Sequence, residues 1–382
     1  MHKSKSSSSD GGSESIAGAQ LALRWPLGGT MVLTVAILLL SCTLAEILVR
    51  APGIRARLPV GSYGTASRYL DFHMDRLREH AAREGGVDCI FIGASPVFRG
   101  INPAVVAQAY RARTGQSMRC FNFGIRGLDP ANAAILGEII TEDFHPALLV
   151  LGLDIPNLSG RSSKGIRTAF LASEWIQFRQ GRFQVESWLV DHSYAMRLYM
   201  LYRNWMRPGF SPQSIADTDR ALSRDIQPDG HAAFRFAADD LAEIPDTASE
   251  EARYYDLLQD YTIDLRQLQG VEGLLQPEAG LQVVLLEMPV HPTYLQYYER
   301  GEQDYQLGLT AAKATAERVG VPFWTTTLKE LIPDEGWANR SHLNETGARI
   351  FSLWLGQQIG DAVLEGTLTD PASLRAQQGA DA

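Results

Sequence analysis

Four short apolar runs, at 87–92, 118–123, 147–153 and 281–288, constrain the fold of this 382-residue chain more than any other feature. Each is bounded by Gly, Pro or charge, and each has the length of a strand buried on both faces. Helical patterns lie between them, as at 103–114 and 130–141. Strands alternating with helices imply a parallel sheet covered on both sides. The expected fold class is therefore α/β, a three-layer domain with a central parallel sheet over 60–370. Ligands of such sheets bind beyond the carboxyl ends of the strands, which is where chemistry is to be sought.

A fifth apolar run has a different character. Residues 26–45 carry no charge until Glu46, and about 20 apolar residues are what a bilayer span requires. A transmembrane anchor is expected over 26–48. Lys3, Lys5 and Arg24 before it balance Arg50, Arg55 and Arg57 after it, so charge alone does not orient it. Leu39-Leu40-Ser41-Cys42 resembles a lipoprotein cleavage box, but the apolar run continues past Cys42. An uncleaved anchor is the reading taken, with lipidation as the alternative. Residues 1–24, rich in Ser and Gly, are expected to be disordered, and 371–382 to be a flexible tail.

The third and fourth apolar runs are separated by an insertion at 158–270. It holds Trp175, Phe178, Phe183, Trp188, Tyr194, Tyr199, Tyr202 and Trp205 among Arg and Lys. Packing is the default expectation for this helical, aromatic stripe; a cap over a site or a surface resting on a membrane are the alternatives. The net charge of −9 and the lack of long basic runs argue against a nucleic-acid partner. None of the three cysteines falls in a metal-ligand spacing, and no metal or cofactor is expected. Cys89 and Cys120 are expected as small buried side chains, close enough to pair if their strands are neighbours.

The ends of the runs carry polar groups. The first delivers Gly93-Ala94-Ser95, with Pro96 suited to the first turn of a helix. The second ends Phe123-Gly124-Ile125-Arg126-Gly127, where Gly124 brings a backbone N–H within reach of a developing oxyanion. The third ends Gly152-Leu153-Asp154-Ile155-Pro156-Asn157, and the last large run ends before His291. Far downstream, His342 precedes a helix-patterned stretch. A serine hydroxyl needs an adjacent base, usually histidine, to act as a nucleophile. Each residue also has a structural reading: Ser95 and His342 as helix caps, Gly124 and Gly127 as turn glycines. Four strand ends with site-like residues favour a Ser95–His342 centre. The sequence lacks GxGxxG after the first run, lacks a P-loop, and matches only half of the GxSxG elbow, with Val97 in place of the closing glycine.

This arrangement resembles the SGNH/GDSL hydrolase superfamily, over 85–157 and 281–360. The phrase His342-Leu343-Asn344-Glu345-Thr346-Gly347-Ala348 is similar to the C-terminal segment of membrane-anchored members that O-acylate cell-wall polymers or exopolysaccharides. The resemblance implies a flavodoxin-like strand order, Ser95 as nucleophile, His342 as general base, and an oxyanion hole from the N–H groups of Ser95 and Gly124. Such members carry aspartate three residues before the histidine, where this chain has Asn339. They carry asparagine at the third turn, where it has Asp154, whose ionised form repels an oxyanion. Ala94 replaces the common aspartate before the serine. Three explanations of Asn339 stand open: Asp334, Glu335 or Asp154 orients His342; a Ser-His dyad suffices; or the protein is an inactive relative. Arg126, Asn157 and His291 are further orienting or substrate-contact positions.

The function expected is a serine acyltransferase or esterase acting on acyl groups, acetyl above all, of an envelope or exported polysaccharide. The alternative is a non-catalytic glycan-binding or assembly component. Its partners would be an acylated glycan, the membrane through 26–48, and a membrane-embedded acyl donor protein. The location implied is the inner membrane, single-pass, with the catalytic domain periplasmic.

Overall fold

The computed structural model describes residues 27–65, 67–161, 170–205, 212–232, 234, 248–274, 280–326 and 331–375. The expectation of disorder over 1–24 lies outside them. The chain forms two compact units that divide between Ala56 and Arg57.

The first unit holds α1, Leu27–Arg50, and the short α2, Pro52–Arg55. Residues 29–50 of α1, whose most apolar 18-residue window has a mean hydropathy of 2.5, are long and apolar enough to cross a membrane. Several of its polar groups are satisfied inside the helix. The Thr34 and Thr43 hydroxyls donate to the Thr30 and Leu39 carbonyls, and Arg50 pairs with Glu46 one turn back. Internal satisfaction of this kind is what a helix in hydrocarbon requires.

The second unit is built on five parallel strands: β1 Cys89–Gly93, β2 Cys120–Gly124, β3 Leu148–Leu153, β4 Gln282–Glu287 and β5 Phe323–Trp324. Their order, β2-β1-β3-β4-β5, is the flavodoxin-like one. Side chains of a strand point alternately to its two faces, and both faces here are apolar. Ile90, Ile92, Phe121, Phe123, Leu149, Leu151 and Leu285 enter one core; Phe91, Cys120, Leu148, Val150, Val284 and Leu286 enter the other. Helices cover both: α3 Arg68–Glu84, α6 Pro130–Phe144, α12 Leu265–Leu274 and α13 Glu302–Val319 on the first, α5 Pro103–Thr114 and α14 Glu345–Leu364 on the second. The strand β5, two residues long at the sheet edge, has no counterpart among the apolar runs because it is too short for a periodicity to show.

Cys89 and Cys120 are register partners on neighbouring strands, and both are buried free thiols. Between β3 and α12 lie α7 Glu174–Arg179, α8 Val185–His192, α9 Tyr194–Trp205, α10 Pro212–Asp225 and α11 Ala248–Leu258. α12 packs on α6 as part of the helical layer, with Gln267 accepting from the Ala131 N–H, so the insertion ends before it rather than at 270. The aromatic stripe divides. Trp175 is buried against Tyr63, its ring nitrogen donating to Asp191, and the Tyr194 hydroxyl donates to the Pro59 carbonyl. Phe183, Trp188, Tyr199 and Tyr202 are exposed. The side chain of Trp205 lies outside the description. Residues 371–375, at the start of the expected tail, are instead helical and tied down. Asp370 accepts from Ser373, and Arg375 pairs with the buried Asp88. The remainder of that tail lies outside the described residues.

Candidate active site

Ser95 opens α4, Ser95–Gly100, directly beyond the carboxyl end of β1. Ala94 is extended, and Pro96 occupies the first turn, where its missing N–H costs nothing. β1 lies between β2 and β3, where the strand order reverses, which is where open α/β sheets bind ligands. The helix can seat itself there because β2 ends in glycine: a Cβ on Gly124 would stand 2.3 Å from the Phe98 nitrogen.

His342 arrives from a small hairpin, β6 Trp337–Asn339 and β7 His342–Leu343. Asn344 fixes that hairpin to the next helix. Its side-chain oxygen accepts from the Gly347 N–H at the start of α14, and its amide donates to the carbonyls of Glu335 and Trp337. The imidazole then lies with Nε2 2.9 Å from Ser95 Oγ and Nδ1 3.0 Å from Asn339 Oδ1. The Ser341 backbone N–H also donates to that Asn339 atom, at 3.0 Å, which identifies it as the amide oxygen. Nδ1 therefore carries the proton, and Nε2 is bare and free to accept the serine proton. Burial drives the His342 pKa down to about 3, and the positive charges of Arg99, Arg126 and Arg253 add to the effect. The imidazole is thus neutral near pH 7.

Ser95, His342, Asn339, Asp154, Asn157 and Arg126 all line one cavity of about 600 Å³. Asn157 Nδ2 donates to Asp154 Oδ2 at 2.8 Å, and burial pushes the Asp154 carboxyl up to about 7 against the pull of Arg253. Arg126 donates to the Tyr69 hydroxyl at 3.0 Å. Four predicted positions fall elsewhere. The Gly124 N–H already donates to Asn122 Oδ1 at 2.8 Å, so it is not available to an oxyanion; its glycine serves the packing of α4. His291 is buried, bonded to Thr293 and Trp337-facing, and its Nε2 meets Asp334 at 3.3 Å. Asp334 thus serves His291 and not His342. Glu335 is exposed.

Several site residues escaped sequence reasoning. Gly127, read as a turn glycine, has φ 74° and lines the cavity; among the described residues nothing accepts its N–H. Ser341 Oγ lies 3.0 Å from His342 Nδ1 and 3.3 Å from the Tyr254 hydroxyl, so the insertion reaches the base through α11. The Phe234 ring stands edge-on to His342 with centroids 5.9 Å apart. Arg99 was findable, since a residue four positions after Ser95 shares its helix face. Tyr254, Arg253 and Phe234 carry no local signal at all. Among the described residues no group of three or more His, Cys, Asp or Glu could hold a metal ion.

No family model matches the chain, and no curated protein matches it. Solved structures similar to it include a lipase/acylhydrolase from Enterococcus faecalis (10% identity, 72% of this chain, 96% of that chain, TM-score 0.36). Another is an inhibitor-bound aryl esterase of M. smegmatis (12%, 72%, 99%, 0.32). A third is a catalytic mutant of an acetylxylan esterase from Geobacillus stearothermophilus (12%, 71%, 94%, 0.34). At these identities and TM-scores the likeness carries no argument about chemistry.

Proposed function

We propose that the chain is a membrane-anchored serine esterase or acyltransferase of SGNH type that acts on acyl groups, acetyl above all, of a polysaccharide. The observation that carries this reading is the relay Ser95 Oγ–His342 Nε2 at 2.9 Å and His342 Nδ1–Asn339 Oδ1 at 3.0 Å, inside a cavity at the sheet's switch point. As Ser95 Oγ bonds to the acyl carbon, Nε2 takes its proton, then returns it to the departing alkoxide. The acyl-enzyme passes the group to a sugar hydroxyl or to water by the same steps reversed. The N–H groups of Ser95 and Gly127 are the backbone donors assigned to the oxyanion, in place of Gly124. The helix α1 supplies the anchor, with the second unit on the periplasmic side.

A fluorophosphonate probe, which reacts only with an activated serine, tests the reading. The full-length chain in detergent should be labelled, and Ser95→Ala and His342→Ala should not. A folded wild-type chain that takes no label would leave a glycan-binding component as the better account.

A further inference from the structure

The chain carries a net charge of −9, yet the walls of the cavity over Ser95 hold arginines that have no counter-ion among the described residues. Arg99, Arg126, Arg161 and Arg253 all line it. Arg161 pairs with Asp260. The other three have no carboxylate within ion-pair distance among the described residues, whereas Arg68, Arg119, Arg179 and Arg300 elsewhere are each paired. The three are held in place by aromatic faces instead. Arg99 lies 4.7 and 4.3 Å from the Phe98 and Phe234 ring centroids, Arg126 5.7 Å from Tyr69, and Arg253 5.2 Å from Tyr254. Arg99 is half-buried, and among the described residues its guanidinium donates to the Ala232 carbonyl.

Three acids share the lining. Asp129 is buried and turned to cap α6, accepting from the Asn132 N–H. Asp154 is engaged by Asn157, and its raised pKa leaves it only partly charged near neutrality. Asp256 is exposed. The three arginines therefore set a positive field at the reacting atoms, and they add to the lowering of the His342 pKa that burial causes. A guanidinium that is partly desolvated and left unpaired is costly, and an anion brought by a ligand offsets that cost.

We infer that the cavity over Ser95 binds a glycan that carries its own negative charge, with Arg99, Arg126 and Arg253 receiving carboxylate or phosphate oxygens beside the acylated position. This rests on the esterase or acyltransferase reading for the choice of a glycan, and it narrows the substrate to an anionic one. Planar guanidinium groups on aromatic faces are pre-organised for such oxygens, which they bind through two parallel N–H donors.

Binding to the full-length Ser95→Ala chain in detergent tests the inference without needing turnover. Three tetrasaccharides of matched length are titrated by calorimetry: a neutral one, one bearing a carboxylate on each ring, and one bearing phosphates. At least one anionic ligand should bind about tenfold more tightly than the neutral one at low salt, with the gap narrowing as added salt shortens the screening length to below about 8 Å. Combining Arg126→Gln and Arg253→Gln, both on the exposed rim, should abolish the preference. Which anionic arm binds identifies carboxylate or phosphate as the group recognised. Equal binding of all three, binding of none, or a preference that survives the double replacement overturns the inference. Fluorophosphonate labelling of the wild type reports separately on the Ser-His centre, so the two readings fail in different experiments.

Discussion

Asn339 decides how well His342 can work as a base. Its amide oxygen accepts a hydrogen bond from Nδ1–H and also accepts from the Ser341 N–H and hydroxyl. It orients the ring, but it places no negative charge behind the imidazolium that forms when Ser95 gives up its proton. An aspartate in this position keeps all three acceptor contacts and adds that charge. Asn339→Asp is therefore expected to raise aryl acetate hydrolysis at neutral pH by about tenfold and to move the acidic limb of the pH profile upward from about 3, because an adjacent carboxylate favours the protonated ring. Unchanged rate and unchanged limb would mean that His342 is stabilised by another group. Asp154 gives the alkaline side of the same profile. Held at about 7 by burial, it is a neutral acid below that pH and a hydrogen-bond donor to an oxyanion; above it, it becomes a repelling carboxylate. The acylation rate of the wild type should fall by about tenfold per pH unit beyond 7 if only the protonated form works. Asp154→Asn, a donor at every pH, should flatten that fall. An alkaline limb that persists in Asp154→Asn would remove Asp154 from this role.

At the level of elements, legibility followed the locality of the signal. The strands β1 to β4 were readable because burial on both faces demands unbroken apolar runs, and their ends placed Ser95, Asp154 and Asn157 on one rim. His342 and Asn339 were readable as a pair only through the resemblance, which looks three residues before the histidine; the structure puts both on one hairpin. What failed was direction. Gly124, the last residue of β2, and Gly127, three residues on, look alike as letters, yet the first has its N–H taken by Asn122 and among the described residues the second does not. Likewise Asp334 and His291, 43 residues apart, satisfy each other rather than His342. Tyr254 and Phe234 reach the site from an insertion whose path over the sheet depends on contacts such as that of Ser159 with the Leu257 carbonyl, and no periodicity encodes such a path.

Across the whole molecule, ionisable groups buried during folding make stability depend on pH, and their signs oppose one another. His73 and His342, lowered by burial from 6.5 to about 3, bind fewer protons folded than unfolded between those values, so their contribution to stability grows as pH rises through that window. Glu287 acts in the other sense. It is fully buried on β4, accepting from the Tyr305 hydroxyl at 2.7 Å and the Thr326 N–H at 3.1 Å, and burial raises it from 4.5 to about 7 despite those bonds. Between about 4.5 and 7 the folded state holds this proton and the unfolded state does not, so stability from Glu287 is complete at the acidic end and is lost toward pH 7, by up to ~3 kcal/mol. Glu287→Gln removes the titration and keeps the shape, since the Tyr305 oxygen can accept from the new amide. Thermal unfolding of the full-length chain in detergent should therefore find the variant close to wild type at pH 5 and more stable at pH 8. A difference between the two proteins that does not change with pH would show that Glu287 stays ionised in the folded chain, held by Tyr305 and Thr326 strongly enough to outweigh its burial.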